Sequence, residues 1–192
     1  MRNQQGTPTK VELAWLAGFI EGEGSLALSA WTRLDNHASR NPKIAVSIKI
    51  YNTDAALISR CRDILKGIGV EPYMKEREQK PMLKHDGSKQ YKSVDPMLTL
   101  TVSKLSSAQK ALTCLTPYLF GDKRIRAEIM LEYLDKRLSR QKENSGNFRN
   151  LRYQDDEIAL VKKFYTLTRP GQTKAFARRG ETPQRVMSMA PE

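Results

Sequence analysis

Residues 16–24 read LAGFIEGEG and close a segment with helical periodicity that begins near Thr9. Two stripes run along this segment, one apolar and one made of small residues. The apolar stripe is Leu13, Leu16 and Ile20, and the small-residue stripe is Ala14, Gly18 and Gly22. A glycine inside a helix costs about 1 kcal/mol relative to alanine. Small residues at this spacing let two helices touch backbone to backbone, so the segment predicts a helix that another helix approaches closely.

The charge of the chain indicates a polyanionic partner. It has 192 residues with 33 Lys+Arg against 21 Asp+Glu, a net charge of +12 and a pI of about 9.8. Nucleic acid or an anionic membrane surface would suit that charge. Apolar content of 39% predicts a folded chain, with a single domain over 1–168 and a flexible basic tail over 169–192. No apolar run approaches the roughly 18 residues of a membrane-spanning helix.

The cysteine and histidine content argues against a disulfide framework and against zinc. Cys61 and Cys114 are isolated in helix-like segments, which predicts buried free thiols in a reducing compartment. With only His37 and His85 as further candidates, a zinc cluster is not expected. Residues 1–10 are polar and lack the apolar stretch of a signal peptide, so an intracellular location is expected.

The periodicity predicts an α+β fold: an antiparallel four-stranded sheet with helices packed on one face, in an αββαββα core followed by C-terminal helices. Helices are predicted over 9–22, 53–67, 104–119, 123–140 and 155–168, and strands over 24–33, 43–51, 70–78 and 90–102. Thr9 with Glu12 three residues later predicts a capping box, and Asn52 or Thr53 is the expected cap of the second helix.

One face of the predicted sheet is polar, basic and aromatic. In the second strand the apolar residues alternate with Lys, Ser and Tyr, which is typical of a half-buried strand. Arg, Lys and Ser side chains on such a face contact base edges or phosphates in a DNA groove. The DNA-binding candidates are Ser29, Trp31, Arg33, Lys43, Ser47, Lys49, Tyr51, Tyr73, Lys75 and Arg77. A plain solvated sheet face is the alternative for the set, and packing is an equal alternative for Trp31.

The run at 16–24 resembles the signature of the LAGLIDADG homing endonucleases. Leu16, Ala17, Gly18, Ile20 and Gly24 match it letter for letter. At the other four positions the chemical type is kept: Phe19 for Leu, Glu21 and Glu23 for Asp, and Gly22 for Ala. The resemblance extends to the element order from about residue 10 to about residue 167.

This resemblance implies a homodimer, because the signature occurs once and two copies of the helix make one active centre in the family. The predicted dimer interface is Ala14, Gly18, Glu21 and Gly22. A two-fold axis would bring two Glu23 carboxylates together, and a divalent cation would relieve their repulsion. Hard carboxylate oxygens favour Mg²⁺. By resemblance Glu23 and the backbone carbonyl of Gly22 are the metal ligands, Mn²⁺ substitutes for Mg²⁺, and Ca²⁺ supports DNA binding without cleavage.

The resemblance also implies a polar residue and a lysine that organise water around the scissile phosphate. Asn52 and Lys123 match these positions, and Thr53 and Arg124 compete with them. An Arg that some members carry early in the second helix falls here on Ala56 or Leu57, with Arg60 as a possible substitute.

The expected function is therefore a site-specific endonuclease encoded in an intron, which makes double-strand breaks in a long near-palindromic DNA site. An organelle (chloroplast or mitochondrion) or a prokaryotic cytoplasm is the expected location. Two alternatives use the same fold: an intron RNA maturase, which would bind RNA without needing Glu23, and a DNA-binding regulator with an inactive centre.

Overall fold

The computed structural model describes residues 6–31, 43–77, 96–144 and 151–167. The predicted tail 169–192 and the candidates Arg33, His37 and His85 lie outside these ranges. The helices are α1 (Lys10–Glu23), α2 (Ala55–Gly67), α3 (Leu105–Leu115), α4 (Gly121–Glu143) and α5 (Asp155–Thr166), with a 3-10 turn at Thr116–Tyr118. The strands are β1 (Gly24–Trp31), β2 (Lys43–Asn52), β3 (Tyr73–Arg77) and β4 (Met97–Val102).

The four strands form one antiparallel sheet in the order β1-β2-β4-β3, which confirms the predicted α+β class. The even-numbered residues of β1, β2 and β4, such as Leu28, Ile48 and Leu100, are buried. They pack with Leu16 and Ile20 of α1 and with buried residues of the other helices in one apolar core. The odd-numbered residues share the opposite face. Among the described residues, no helix is long and apolar enough to cross a membrane.

The first helix begins as the sequence predicts. Thr9 accepts a hydrogen bond from the Glu12 amide at 3.2 Å, and the Glu12 carboxylate accepts one from the Thr9 amide at 2.8 Å. This capping box satisfies two of the amides that a helix N-terminus leaves without intrahelical partners. It also lowers the pKa of Glu12, mainly through the hydrogen bond from the Thr9 backbone.

The predicted cap of the second helix is wrong. Asn52 is the last residue of β2, and it pairs with Leu98 of β4. Its Oδ1 accepts a hydrogen bond from the Asp54 amide at 2.8 Å. Asp54 is the residue that caps α2, accepting hydrogen bonds from the amides of Ala56 and Leu57 at 2.7 and 3.2 Å. Because Asn52 pairs within the sheet, it does not cap α2, and its side chain lies at the end of the sheet.

Candidate nuclease centre and nucleic-acid interface

The C-terminal end of α1 lies against the N-terminal end of α4. The Glu21 carboxylate accepts a hydrogen bond from the Phe120 amide at 2.9 Å, and Phe120 is the residue that precedes α4. A carboxylate is favourable at a helix N-terminus and unfavourable at a C-terminus. Glu21 lies in the last turn of α1 and accepts a hydrogen bond at the N-terminal end of α4, so the contact between the two helices gives it a favourable partner.

Lys123 completes this junction. Its Nζ donates hydrogen bonds to the carbonyls of Ile20 and Glu21, each at 2.5 Å. Burial lowers the pKa of Lys123, and the nearby carboxylates of Glu21 and Glu23 act in the opposite direction. The last turn of α1 contains no basic residue, so a cation from α4 balances the acidic end of the helix.

The competing candidate Arg124 faces elsewhere. Its Nε donates to the Glu128 carboxylate at 3.0 Å, one helical turn along α4. Helix α4 begins at Gly121, two residues earlier than predicted, so Lys123 lies inside the first turn. Successive residues on a helix differ in direction by about 100°. This difference turns Lys123 toward α1 and Arg124 away from it.

Glu23 is the exposed acid of the pair. It ends α1 and is exposed, whereas Glu21 is half-buried. The next residue, Gly24, pairs with Ile50 of β2. Because Asn52 lies two residues further along β2, Glu23 and Asn52 are placed at the same end of the sheet. The fold therefore brings the end of α1, Lys123 and the end of β2 into one region. Thr53, the competitor of Asn52, is exposed just beyond the strand.

The small-residue stripe faces outward. Ala14, Gly18 and Gly22 are exposed, and Val11, which extends the stripe, is 78% exposed. A Cβ atom built on Gly18 or Gly22 would meet nothing within 4 Å among the described residues. The apolar residues opposite the stripe fill the core instead. Packing against another part of the described chain therefore does not explain the two glycines.

An aromatic pair borders this stripe. Trp15 and Phe19 stack with ring centroids 5.4 Å apart, and the Arg60 guanidinium lies 4.3 Å from the Trp15 ring centroid. Trp15 is half-buried and packs against the edge of the core. On α2 the positions Ala56 and Leu57 carry no basic group, and Arg60 is engaged by Trp15. The described contacts thus place Arg60 beside α1's exposed face.

The sheet register puts the nucleic-acid candidates into rows across one face. Lys49 lies opposite Ser25 on one side and Thr101 on the other, and Thr101 is opposite Tyr73. Tyr51 and Lys75 both lie opposite Thr99 in the next row. Burial raises the pKa of Tyr51. The remaining described candidates on this face are Ser29, Ser47 and Arg77, and the strand backbone places Trp31 opposite Lys43. The predicted alternation of polar and apolar faces is confirmed.

The two cysteines are free, as predicted. Cys61 is buried in α2, and burial raises the pKa of its thiol to about 12. Cys114 is half-buried in α3. Among the described residues no group of three or more His, Cys, Asp or Glu side chains is arranged to hold a metal ion.

The chain has the fold of the LAGLIDADG homing endonucleases. The homing endonuclease I-CvuI, solved with its DNA target in the presence of Ca, is 23% identical with a TM-score of 0.52, covering 83% of each chain. The homing endonuclease I-TnaI is 13% identical with a TM-score of 0.53, covering 88% of this chain and 95% of its own.

A third similar structure is the group I intron-encoded homing endonuclease I-CeuI in complex with DNA. It is 12% identical with a TM-score of 0.53, covering 81% of this chain and 67% of its own. No family model and no curated protein matches the sequence.

Proposed function

We propose that the protein is a homodimeric, Mg²⁺-dependent endonuclease that cuts both strands of a long, near-palindromic DNA site. The observation that carries the proposal is the outward face of α1, where an exposed stripe of small residues leads to the exposed carboxylate of Glu23. The shared fold supports it, because similar structures include homing endonucleases solved with DNA targets.

The proposed dimer follows from the two glycines. Each costs about 1 kcal/mol in a helix, and the Cβ of an alanine would meet no described atom within 4 Å. A second copy of α1 that approaches Gly18 and Gly22 explains why no side chain is present. An interface on a two-fold axis uses the same surface of both subunits, which a single stripe provides. The half-buried Trp15–Phe19 pair beside it offers further apolar surface.

The residues at the end of α1 fit a divalent cation. Glu23 is exposed beside the stripe, so a two-fold axis there brings two carboxylates toward each other. The Lys123 hydrogen bonds end at the Glu21 carbonyl, one residue before the Gly22 carbonyl proposed as the second ligand. When bound, Mg²⁺ would stabilise the attacking and leaving oxygens of the phosphodiester.

The neighbouring side chains have separate roles in this proposal. Lys123 fixes the last turn of α1, and thereby the direction of Glu23, through the carbonyls of Ile20 and Glu21. Asn52, held by the Asp54 amide at the end of β2, offers its amide group to the water that attacks the phosphate. Both keep their positions without a ligand, which reduces the reorganisation needed at the moment of reaction.

The polar sheet face is proposed to bind the DNA groove. Lys49, Lys75 and Arg77 supply cations for phosphates or guanine edges, and Ser29 and Ser47 supply short hydroxyl groups. The overall charge of +12 supports tight, salt-dependent association with DNA. Dimerisation would double this face across the two-fold axis and make the target near-palindromic.

The test is selection from a randomised duplex library. Wild type, Glu23→Gln and the control Glu71→Gln, which changes an exposed acid paired with Lys66, are incubated in Ca²⁺ and then in Mg²⁺. All three are expected to enrich one near-palindromic sequence in Ca²⁺. Wild type and Glu71→Gln then cut it in Mg²⁺, and Glu23→Gln does not.

Other outcomes point to the alternatives. A site that wild type binds but never cuts would favour the regulator. Failure to select any duplex, together with intron RNA binding that survives Glu23→Gln, would favour the maturase. Normal cutting by Glu23→Gln would refute the proposed metal site.

A further inference from the structure

Two tyrosine hydroxyls hold the outer end of the ribbon formed by β1 and β2. The Tyr165 hydroxyl accepts a hydrogen bond from the Ala30 amide at 3.0 Å, and the Tyr153 hydroxyl accepts one from the Ile44 amide at 3.2 Å. Ala30 and Ile44 are directly opposite each other in the ribbon. The hydrogen-bonded residues are 135 and 109 positions apart in the sequence. The two contacts therefore connect α5 and the segment before it to the first two strands.

Among the described strands, none pairs with these two amides. In an antiparallel pair, alternate opposing residues direct their amides away from each other. The Ala30 amide therefore points to the side of β1 that is not paired with β2, and β1 is an edge strand of the described sheet. The Ile44 amide points to the opposite side of the ribbon. There β4 pairs with β2 only from Ile48 to Asn52, so β4 does not reach Ile44. One tyrosine hydroxyl therefore occupies each side of the ribbon, and both unpaired donors are satisfied.

A buried charged network keeps Tyr153 in place. The Arg137 guanidinium lies 4.3 Å from its ring centroid and donates to the carbonyls of Leu151 and Arg152 at 2.9 and 3.3 Å. Glu157, fully buried, lies 3.5 Å from Arg137. This network joins the segment before α5 to α4.

The second tyrosine, Tyr165, lies in α5, which is also held against α4. Val161 and Phe164 are buried in the common core, and Tyr165 follows directly. The Glu157 carboxylate accepts from Arg140 at 2.6 Å, which binds the start of α5 to α4. The two hydroxyls are thus held by one packed unit, and they contact backbone rather than the polar sheet face.

We propose that Tyr153 and Tyr165 form a clamp that positions the outer end of the β1–β2 ribbon and thereby determines specificity at the outer base pairs of each DNA half-site. This inference rests on the proposed function. The next row of the sheet beyond Ala30 and Ile44 pairs Trp31 with Lys43, two of the DNA-binding candidates. The tyrosines are positioning residues, because their hydroxyls act through the ribbon backbone.

The first test needs no DNA. Amide hydrogen exchange is measured by NMR on the full-length wild type, Tyr153→Phe, Tyr165→Phe and the control Tyr118→Phe. Tyr165→Phe is expected to speed exchange at Ala30 at least tenfold, and Tyr153→Phe to do the same at Ile44. The control should change neither. Unchanged exchange at both amides in the two variants would overturn the clamp.

The second test is a half-site selection with wild type, the control Tyr118→Phe and a variant that combines both tyrosine substitutions. The double Tyr153→Phe/Tyr165→Phe variant is expected to lose at least tenfold of its discrimination at outer base pairs. It should keep its preference at central positions and its cleavage rate on the wild-type site at saturating protein. A lower melting temperature with an unchanged base preference at every position would mean that the tyrosines are only structural.

Failure of the endonuclease proposal gives a different result. If wild type selects no duplex, that proposal and the specificity role both fail, while the exchange data still decide whether the clamp holds the ribbon.

Discussion

The outward face of α1 gives the sharpest prediction, because no described atom lies within 4 Å of a Cβ built on either of its two glycines. Replacing Gly18 by leucine should leave the monomer folded, since a Cβ there meets nothing within 4 Å and leucine is a better helix former than glycine. In a dimer built on this face, the same side chain would separate two helix backbones. Overpacking of this kind costs about 1–3 kcal/mol per site.

A two-fold axis repeats that cost. Two leucines give about 2–6 kcal/mol in the free energy of dimerisation, which raises the dimer dissociation constant roughly 30-fold to more than 10⁴-fold. Sedimentation velocity across a concentration series measures that constant, and circular dichroism checks the fold. Ala14→Leu should act in the same direction. Ala55→Leu makes the same change at an exposed position on α2 and should leave dimerisation unchanged.

A Gly18→Leu variant that dimerises as tightly as wild type, or a wild type that is a monomer at every concentration, would refute this dimer interface. A Gly18→Leu chain that fails to fold would contradict the open space around Gly18.

Three further predictions concern the interior and the junction at the end of α1. Lys123→Met should abolish most DNA cleavage in Mg²⁺, whereas Arg124→Met, which loses only an ion pair with Glu128, should not. Single-turnover cleavage in Mg²⁺ and DNA binding in Ca²⁺ are measured for each variant. Glu157→Gln removes the carboxylate that pairs with the buried Arg137 and the partly buried Arg140, and should cost about 3–5 kcal/mol in urea unfolding. Glu128→Gln at an exposed pair should cost less than about 1 kcal/mol. Burial raises the pKa of the Cys61 thiol to about 12, so between about pH 9 and pH 12 only the unfolded chain releases that proton. The free energy of unfolding should therefore fall as the pH rises through this range. Urea unfolding of Cys61→Ala should lack this pH dependence, which amounts to at most about 1.4 kcal/mol per pH unit.

Local chemistry made the elements predictable from the sequence. The capping box at Thr9 and Glu12 needs only four residues, and it forms as expected. The alternation in β2 identifies its buried face because side chains in a strand point to opposite sides in turn. The strand order β1-β2-β4-β3 has no such local signal, since it depends on how the connections return to the sheet.

The wrong cap of α2 and the open choice between Lys123 and Arg124 have a common physical origin. Asn52, Thr53 and Asp54 are all good helix caps, and pairing of β2 with β4 decides that Asp54 is the one used. Similarly, Lys123 and Arg124 are equivalent in sequence, and the early start of α4 decides which one faces α1. Tertiary contacts made the choice in both cases.

The tyrosine clamp and its support were not predicted, for a related reason. Tyr153 and Tyr165 lie more than 100 residues from the amides they bind, and neither belongs to a motif. Arg137 and Glu157 sit in helices rich in charge, where a solvated position is the usual expectation for such side chains. Only the packing of α5 on α4 shows that these charges are buried.

The two acids of α1 differ because α4 reaches only one of them. The C-terminal end of α1 carries a partial negative charge, and two carboxylates there add to it. The N-terminal end of α4 carries the opposite partial charge, and it supplies both the Phe120 amide to Glu21 and the Lys123 ammonium to the last turn of α1. Glu21 is thereby balanced within one chain. Glu23, two residues further on and exposed, receives no hydrogen bond from the described residues of this junction. An acid held at the end of a fixed helix, beside a face that no other described element covers, is suited to the cation that we propose two copies share. The contact between the ends of α1 and α4 thus stabilises the fold and leaves the Glu23 carboxylate available for the proposed metal site.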